Sequence, residues 1–158
     1  MADIVSADVR SRMMRKVRAK NTACEVQLRS LLWQSGVRGW RLHGRHLPGS
    51  PDIYFPKWQL AVFVDGAFWH GHPSRHRVGR SGPWWDDKIA SNVARDGRAN
   101  AHLARLGWTV IRIWDFEVLR QPGQCVQQVR DALASRVKGS AETVNSAADG
   151  SDTQRQAG

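Results

Sequence analysis

The strongest constraint on the fold is an uninterrupted apolar run, LAVFV, at residues 60–64. A short apolar run that ends at turn residues is typical of a strand buried on both faces. The run stops at Asp65-Gly66, and two aromatic residues and three histidines follow within residues 68–76. A buried strand does not need aromatic and imidazole groups at its exit, so this point of the chain is the first candidate for a functional site.

Signals for the other elements surround this strand. A basic helical pattern covers residues 8–19, and a second helix opens at Thr22, where Glu25 completes a capping box, and stops at Gly36. Strand patterns follow at 40–42, 52–55 and 60–65, then a long helix at 84–106, a strand at 108–116 and a shorter helix at 123–137. The segment FPKW is short enough to make the second and third strands an antiparallel hairpin. This order predicts an α/β fold, a small mixed β-sheet flanked by helices.

The length of 158 residues predicts one domain. We divide the chain into a basic N-terminal segment (1–20), a globular domain (21–138) and a polar tail (139–158) that is expected to be disordered. Because the sequence shows neither a signal peptide nor an apolar run of about 18 residues, we expect a soluble, cytoplasmic protein without membrane association.

The charge indicates the class of partner. The net charge is +10, and the chain contains eight tryptophans. Cations contact phosphates and aromatic rings stack on bases, so this combination favours nucleic acid. The two cysteines, Cys24 and Cys125, are far apart. Their spacing excludes a disulfide framework and a zinc site of the CxxC type.

Asp52 is a candidate metal ligand, because the segment PGSPDIYF places it where a turn enters a strand. In a hairpin with LAVFVDG, the end of the neighbouring strand can bring its own polar groups close. Mg²⁺ prefers such hard oxygen ligands, together with water and phosphate oxygens. The alternative is that Asp52 only caps a turn, and the sequence leaves both interpretations open.

His70 lies shortly after the same strand and could reach the same place, where a histidine suits general acid–base chemistry at neutral pH. The pair His70-x-His72 also resembles a metal clamp. A zinc site needs four ligands, however, and no cysteine is near, so a zinc-free interpretation is favoured. Glu25 is either a capping residue only or a carboxylate aimed at the histidine or at an attacking water.

Four polar residues share one face of the long helix, opposite Ile89 and Val93, at the spacing i, i+4, i+7 and i+8: Lys88, Asn92, Arg95 and Asp96. Such a face is usually solvated. Lysine and asparagine are also side chains that contact base edges. Trp84 and Trp85, at the start of this helix, belong to the same candidate surface.

Together these segments resemble the Vsr family, the very-short-patch-repair DNA mismatch endonucleases. The resemblance extends from about Met14 to Trp114 and depends on six segments in register: RSRMMRKV, NTACE, LPGSPDIYF, AVFVDGAFWHGHP, WWDDKIASNVARD and LGWTVIRIW. The family has a fold similar to restriction nucleases of the PD-(D/E)xK type. It uses Mg²⁺ to nick one strand beside the thymine of a T·G mismatch, the product of 5-methylcytosine deamination.

The resemblance implies a role for each matched position. Asp52 would bind the metal with the backbone carbonyl of Val64, and His70 would be the acid–base histidine, supported by Glu25 and Asp96. Residues 21–138 would form the endonuclease domain, and the helix in 1–20 would contact DNA. Six side chains would contact the mismatch: Phe68, Trp69 and Trp85 as an aromatic wedge from the major groove, Met14 from the opposite groove, and Lys88 and Asn92 at the mismatched pair.

One feature of the family is altered in this chain. Its structural zinc is held by one histidine and three cysteines, whereas here only His72 matches, and Ala67, Ser74 and Phe116 occupy the cysteine positions. We expect ordinary packing to replace the zinc. The alternative is a substitute ligand set that includes His76.

Two other functions remain open. One is a nuclease of restriction or phage defence with the same fold and no mismatch dependence. The other is a non-catalytic DNA-binding module, against which the presence of all four candidate catalytic residues argues. The partners implied are double-stranded DNA with a T·G mismatch, a MutL-type repair protein and a cognate cytosine-5 methyltransferase. We expect a monomer, associated with the nucleoid of a bacterial cytoplasm.

Overall fold

The computed structural model describes residues 6–16 and 21–149. Its helices are α1 (Ala7–Lys16), α2 (Ala23–Gln34), α3 (Pro83–Arg105), α4 (Asp115–Arg120) and α5 (Pro122–Asp149). Its strands are β1 (Arg41–Leu42), β2 (Ile53–Phe55), β3 (Leu60–Asp65) and β4 (Thr109–Trp114), and a 3₁₀ turn, Pro56–Trp58, joins β2 to β3. Met14 lies in α1, but its side chain is outside the described part of the chain.

The four strands form one sheet in the order β1-β2-β3-β4. The first three are antiparallel neighbours, with Ile53 opposite Val62, and β4 runs parallel to β3, with Val62 opposite Ile111. A parallel neighbour needs a crossover connection, which α3 supplies. The predicted hairpin and the predicted mixed sheet flanked by helices are therefore confirmed.

Both faces of β3 are covered, which explains its uninterrupted apolar run. Leu60 and Val62 belong to the main core, which the sheet forms with α2, α4 and α5. Ala61 and Phe63 belong to a second cluster on the opposite face of the sheet, together with Leu103 of α3. Alternate side chains of a strand point to opposite faces, and full burial of a large apolar side chain contributes about 1.5–3 kcal/mol.

The C-terminal third of the chain corrects two predictions. The strand ends at Trp114 rather than at residue 116, because Asp115 begins the short helix α4, which the sequence analysis missed. The last helix continues past residue 137 to Asp149, since the segment between Gly139 and Gly150 contains no helix breaker and several alanines. In the described residues, no helix combines the length and apolar character needed to cross a membrane.

The buried face of α3 also differs from the prediction. Ile89 is buried as expected, but Val93 is 47% exposed, and Asn92 is only 8% exposed. The cause is a specific hydrogen bond, in which the side-chain amide of Asn92 donates to the backbone carbonyl of Trp69 at 3.0 Å. A polar residue thus takes a place on the packed face because it has a buried partner.

Candidate active site

The β2–β3 hairpin fixes the position of Asp52. This residue directly precedes β2, and its Oδ2 accepts a hydrogen bond of 2.8 Å from the backbone N–H of Val64 near the end of β3. The two predicted metal ligands are therefore adjacent. Their contact depends on the antiparallel register, which brings the start of one strand to the end of the next.

The environment of Asp52 makes its carboxyl group bind a proton more tightly than a free carboxyl does. Burial, with smaller contributions from the nearby carboxylates of Glu25 and Asp65, raises the pKa of Asp52 to about 6 despite the lowering effects of the Val64 N–H and of Arg112. Negative groups crowded in this way are stabilised by a bound cation.

Glu25 performs the capping role and also faces the site. Its carboxylate accepts hydrogen bonds from the hydroxyl of Thr22 at 3.0 Å and from the backbone N–H of Asn21 at 2.8 Å. It is only 4% exposed, and it lines the same cavity as Asp52. The two interpretations that the sequence left open for Glu25 are thus compatible with each other.

His70 is held by carboxylates on one side of its ring. Its Nδ1 lies 2.5 Å from Oδ2 of Asp96 and 3.7 Å from Oδ1 of Asp65. A turn fixes the backbone, since the N–H of His70 donates to the carbonyl of Gly66 at 3.1 Å. Because a carboxylate occupies Nδ1, Nε2 is the ring nitrogen that remains for a proton transfer.

These groups line one cavity of about 890 Å³. Eight of the predicted site residues contribute to its wall: Glu25, Asp52, Val64, Trp69, His70, Lys88, Asn92 and Asp96. The wall also contains Arg45 and Arg95, which provide positive charge, together with His43 and Arg112. The cavity therefore combines hard anionic oxygens, an imidazole and cations that can contact phosphate.

The three predicted wedge residues pack against one another beside this cavity. The ring centres of Phe68, Trp69 and Trp85 are 5.3–5.6 Å apart in each pair. Trp85 is only 4% exposed and lies beneath the half-buried Phe68 and Trp69. In this conformation Trp85 supports the other two rings from below, and Phe68 and Trp69 are the ones that a duplex could meet.

The positions that correspond to the family's zinc ligands do meet in space, but they do not fit a zinc ion. The ring of His72 packs edge-on against Phe116 at 5.1 Å and against Trp114 at 4.8 Å, and its Nδ1 bonds with the hydroxyl of Ser74 at 2.8 Å. Ala67 is buried and offers no ligand atom. Within the described residues, no group of three or more His, Cys, Asp or Glu side chains could hold a metal ion.

His76 contacts a carboxylate instead. Its Nε2 lies 2.9 Å from Oδ1 of Asp86, and Oδ2 of Asp86 accepts a hydrogen bond of 2.7 Å from the backbone N–H of Gly79. The Gly79 hydrogen bond and His76 hold the pKa of Asp86 below its usual range. We call residues 71–82 the basic loop. The contacts of Asp86 with His76 and Gly79 join this loop to the start of α3, and we call them the Asp86 clip.

One ion pair of the site, between Asp65 and Arg112, was not predicted from the sequence. Asp65 is only 4% exposed, and Nη1 of Arg112 donates to both of its carboxylate oxygens, at 2.8 and 2.7 Å. An arginine inside the apolar strand pattern TVIRIW was the signal that could have identified the pair. A charge within a buried strand requires a partner.

Comparisons with known proteins identify the family of this chain. A sequence model described as DNA mismatch endonuclease Vsr matches residues 2–76. The chain is 45% identical over 122 residues to the Type II nicking enzyme V.XorIIP of Xanthomonas oryzae pv. oryzae, covering 75% of this chain and 88% of that protein. It is 32% identical to the Type II nicking enzyme V.NmeDIP of Neisseria meningitidis serogroup C, over 85% of this chain and 92% of that protein. It is 36% identical to DNA mismatch endonuclease Vsr of Escherichia coli K12, over 73% of this chain and 74% of that protein.

Proposed function

Because the chain belongs to the Vsr family of DNA-cleaving endonucleases, we propose that it is a Mg²⁺-dependent enzyme that nicks one strand at a T·G mismatch, the product of 5-methylcytosine deamination. The observation that carries the proposal is the convergence of Asp52, Glu25 and the His70–Asp96 pair in one cavity beside an aromatic cluster. The arrangement suits the restriction-endonuclease-like fold of the family, because Asp52 and Val64 lie together at the start of β2 and the end of β3.

Asp52 and the carbonyl of Val64 are the groups that would hold Mg²⁺. A carboxylate beside a strand carbonyl is a hard-oxygen donor set, and Mg²⁺ characteristically keeps several waters as well. The raised pKa of Asp52, caused by burial and by neighbouring carboxylates, supports this assignment, because a cation would relieve that crowding. Bound Mg²⁺ would supply Lewis acidity at the scissile phosphate.

His70 moves the proton during hydrolysis of the phosphodiester. Asp96 contacts Nδ1 and so orients the ring. Nε2 then takes a proton from the attacking water or gives one to the leaving oxygen. A positioned acid–base group of this kind contributes about 10²–10⁴ to the rate. Glu25, fixed by Thr22 and Asn21, adds a second carboxylate that can orient the attacking water.

The aromatic cluster gives the enzyme its preference for a mismatch. Phe68 and Trp69 enter the base stack, and Trp85 supports them from beneath. Unstacking costs a few kcal/mol and is cheapest at a mismatched pair, so the wedge itself selects the site. Lys88 and Asn92 face the mismatched pair, and Asn92 also donates a hydrogen bond to the carbonyl of Trp69. Met14 of α1 enters from the opposite groove.

The repair pathway of the family supplies the remaining partners of this proposal. A cognate cytosine-5 methyltransferase creates the base whose deamination yields the mismatch, and a MutL-type protein receives the nicked product. The excess of positive charge, +10 for the chain, supports double-stranded DNA as the substrate.

The test is the nicking of end-labelled duplexes that differ only in a T·G or a T·A pair, placed in a library of flanking sequences. Reactions contain Mg²⁺ or EDTA and wild type, Asp52→Ala, His70→Ala or Asp131→Ala, the last being an exposed control on α5. We expect Mg²⁺-dependent nicking of the mismatched duplex by wild type and by the control. We expect Asp52→Ala to bind without cutting and His70→Ala to cut at a severely reduced rate.

Each other outcome would replace the proposal with a different function. Cutting of both duplexes would identify a nuclease of the defence type, without mismatch dependence. Binding without cutting by the wild type would identify a non-catalytic module. Normal turnover by Asp52→Ala would refute the metal site.

A further inference from the structure

Arg112 is a cation held among carboxylates of the cavity, and its contacts join three elements. In β4 the two isoleucines beside it face the core, so strand alternation turns Arg112 to the opposite face. There its Nη1 binds both oxygens of Asp65 in β3, at 2.8 and 2.7 Å. Its Nε donates to Oδ1 of Asn100 in α3 at 3.0 Å. The guanidinium group is therefore fixed from β3 and α3 together.

Two carboxylates lie within reach of the same imidazole nitrogen. Nδ1 of His70 is 2.5 Å from Oδ2 of Asp96 and 3.7 Å from Oδ1 of Asp65. A neutral imidazole has one N–H, so Nδ1 can form a full hydrogen bond with only one of them. The distances identify Asp96 as that partner, and what keeps Asp65 from competing is its own contact with Arg112.

Arg112 contacts the two carboxylates unequally. It occupies both oxygens of Asp65, whereas its contact with Asp96 is a longer ion pair of 3.5 Å between Nη2 and Oδ1. Asp65 is thus compensated by a charge-assisted double contact. Asp96 keeps its other oxygen, Oδ2, for His70.

We infer that Arg112 and Asp65 are positioning residues that hold Nδ1 of His70 on Asp96 and so keep Nε2 free for the proton transfer. This inference rests on the proposed function, because it assigns a role in the same site. Without Arg112, Asp65 becomes a buried carboxylate with no charge partner. The nearest donor is then His70, and the ring turns toward β3 and away from Asp96.

The test compares single-turnover nicking at saturating DNA with the affinity for DNA. We expect Arg112→Met to slow nicking by about 10- to 100-fold, by analogy with the loss of an outer partner of a metal-ligating histidine, without changing the dissociation constant for DNA. Arg112→Lys keeps the positive charge but loses the planar guanidinium group that contacts both oxygens of Asp65. Its nicking rate should therefore lie between those of wild type and Arg112→Met. The matched control is Arg130→Met, an exposed arginine on α5, which should nick like wild type.

Two double variants separate positioning from a purely structural ion pair. Adding Asp65→Asn to Arg112→Met should recover part of the rate, because the competing carboxylate is gone. In a protein that already carries Asp96→Asn, Arg112→Met should reduce the nicking rate only slightly further. The contact between Asp96 and His70, which Arg112 is proposed to protect, is then already weakened. Losses that simply multiply, or no recovery with Asp65→Asn, would overturn the inference. Should Arg112→Met fail to fold, Arg112→Lys and the Asp65→Asn double variant provide the same comparison.

A measurement on the DNA-free protein makes the inference independent of the substrate. The ¹⁵N shifts of the His70 ring should change in Arg112→Met and stay unchanged in Arg130→Met. Unchanged shifts in Arg112→Met would refute positioning, whatever the enzyme cuts. A wild type that nicks neither duplex would contradict the proposed function and would leave this shift test in force.

Discussion

At the scale of single residues, Asp52 shows a conflict between folding and catalysis. In its proposed role as a metal ligand Asp52 has to be ionised, but burial and two neighbouring carboxylates raise the pKa of Asp52 to about 6. The native protein therefore binds a proton at this group more tightly than the unfolded chain does. From about pH 4 to about pH 6 the free energy of unfolding falls as the pH rises. Above about pH 6 the destabilisation caused by the buried charge of Asp52 is complete.

Asp52→Asn should accordingly stabilise the metal-free protein while it abolishes nicking. Asparagine removes the buried charge and can still accept the hydrogen bond from Val64. Because the pKa of Asp52 is raised to about 6, we expect a gain of about 3 kcal/mol at pH 7.5 and of about 1 kcal/mol at pH 4.5. Urea unfolding in EDTA at both pH values measures it, with Asp131→Asn as the control. Equal gains at both pH values would contradict the electrostatic cause.

Proton competition at the same carboxylate predicts a pH dependence of the reaction. Nicking by wild type should decrease as the pH falls through about 6, because a protonated Asp52 cannot bind a cation. A higher Mg²⁺ concentration should move the midpoint to lower pH. A midpoint that does not depend on Mg²⁺ would assign the titration to another group.

Trp69 provides the residue-scale test of selectivity. Trp69→Ala should weaken the discrimination between mismatched and matched duplex by about tenfold, since the stacking of a base on an aromatic ring contributes about 1–3 kcal/mol. Binding titrations with both duplexes measure the ratio. Trp33→Ala is a suitable control, because Trp33 is 59% exposed and does not line the cavity. Equal losses on both duplexes would argue against a wedge.

At the scale of elements, the basic loop depends on side-chain contacts where the family uses zinc. His72 packs against Phe116 and Trp114, and Ser74 bonds to the imidazole. We therefore predict that the purified protein contains no stoichiometric zinc. Elemental analysis tests this directly, and one zinc per chain would mean that an alternative ligand set, for example with His76, has formed.

The Asp86 clip should keep the basic loop closed. Because hydrogen bonds lower the pKa of Asp86, the clip is present above the pKa of the unfolded carboxyl and is lost as the pH falls through the lower folded value. Asp86→Asn has one acceptor oxygen for two partners, so trypsin should cleave the exposed arginines 75, 77 and 80 faster, with little change in Tm. Asp87→Asn, an exposed neighbour, is the control. Identical cleavage rates in the two variants would show that the clip does not hold the loop.

At the scale of the whole molecule, the charge of +10 should set the strength of DNA binding but not its selectivity. Phosphate contacts release counterions and do not depend on sequence. Affinity for matched duplex should therefore fall by about 10³ between 50 and 200 mM salt if about six phosphates are contacted. The ratio of affinities for mismatched and matched DNA should stay nearly constant over that range. A ratio that decreases together with the affinity would place the selectivity in the charged contacts.

The sequence by itself determined the features that depend on neighbours along the chain. The apolar run 60–64 identified the central strand, the Thr22–Glu25 box located the start of α2, and FPKW identified the hairpin. These signals are local, because propensities, caps and tight turns depend on residues a few positions apart. The candidate residues Asp52 and His70 were found by the same means, as polar groups at strand ends.

Tertiary structure alone decided which side chains act together. The pairing of Asp65 with Arg112, the burial of Trp85 and the bond from Asn92 to Trp69 join residues that lie far apart in sequence. Asp65 and Arg112 meet because β4 lies beside β3, and Trp85 and Asn92 meet the loop after β3 because they lie on α3. A periodicity that assigned Val93 to the core and Asn92 to solvent could not detect a buried hydrogen-bond partner. The partner of a buried charge or amide is set by packing, which no local pattern records.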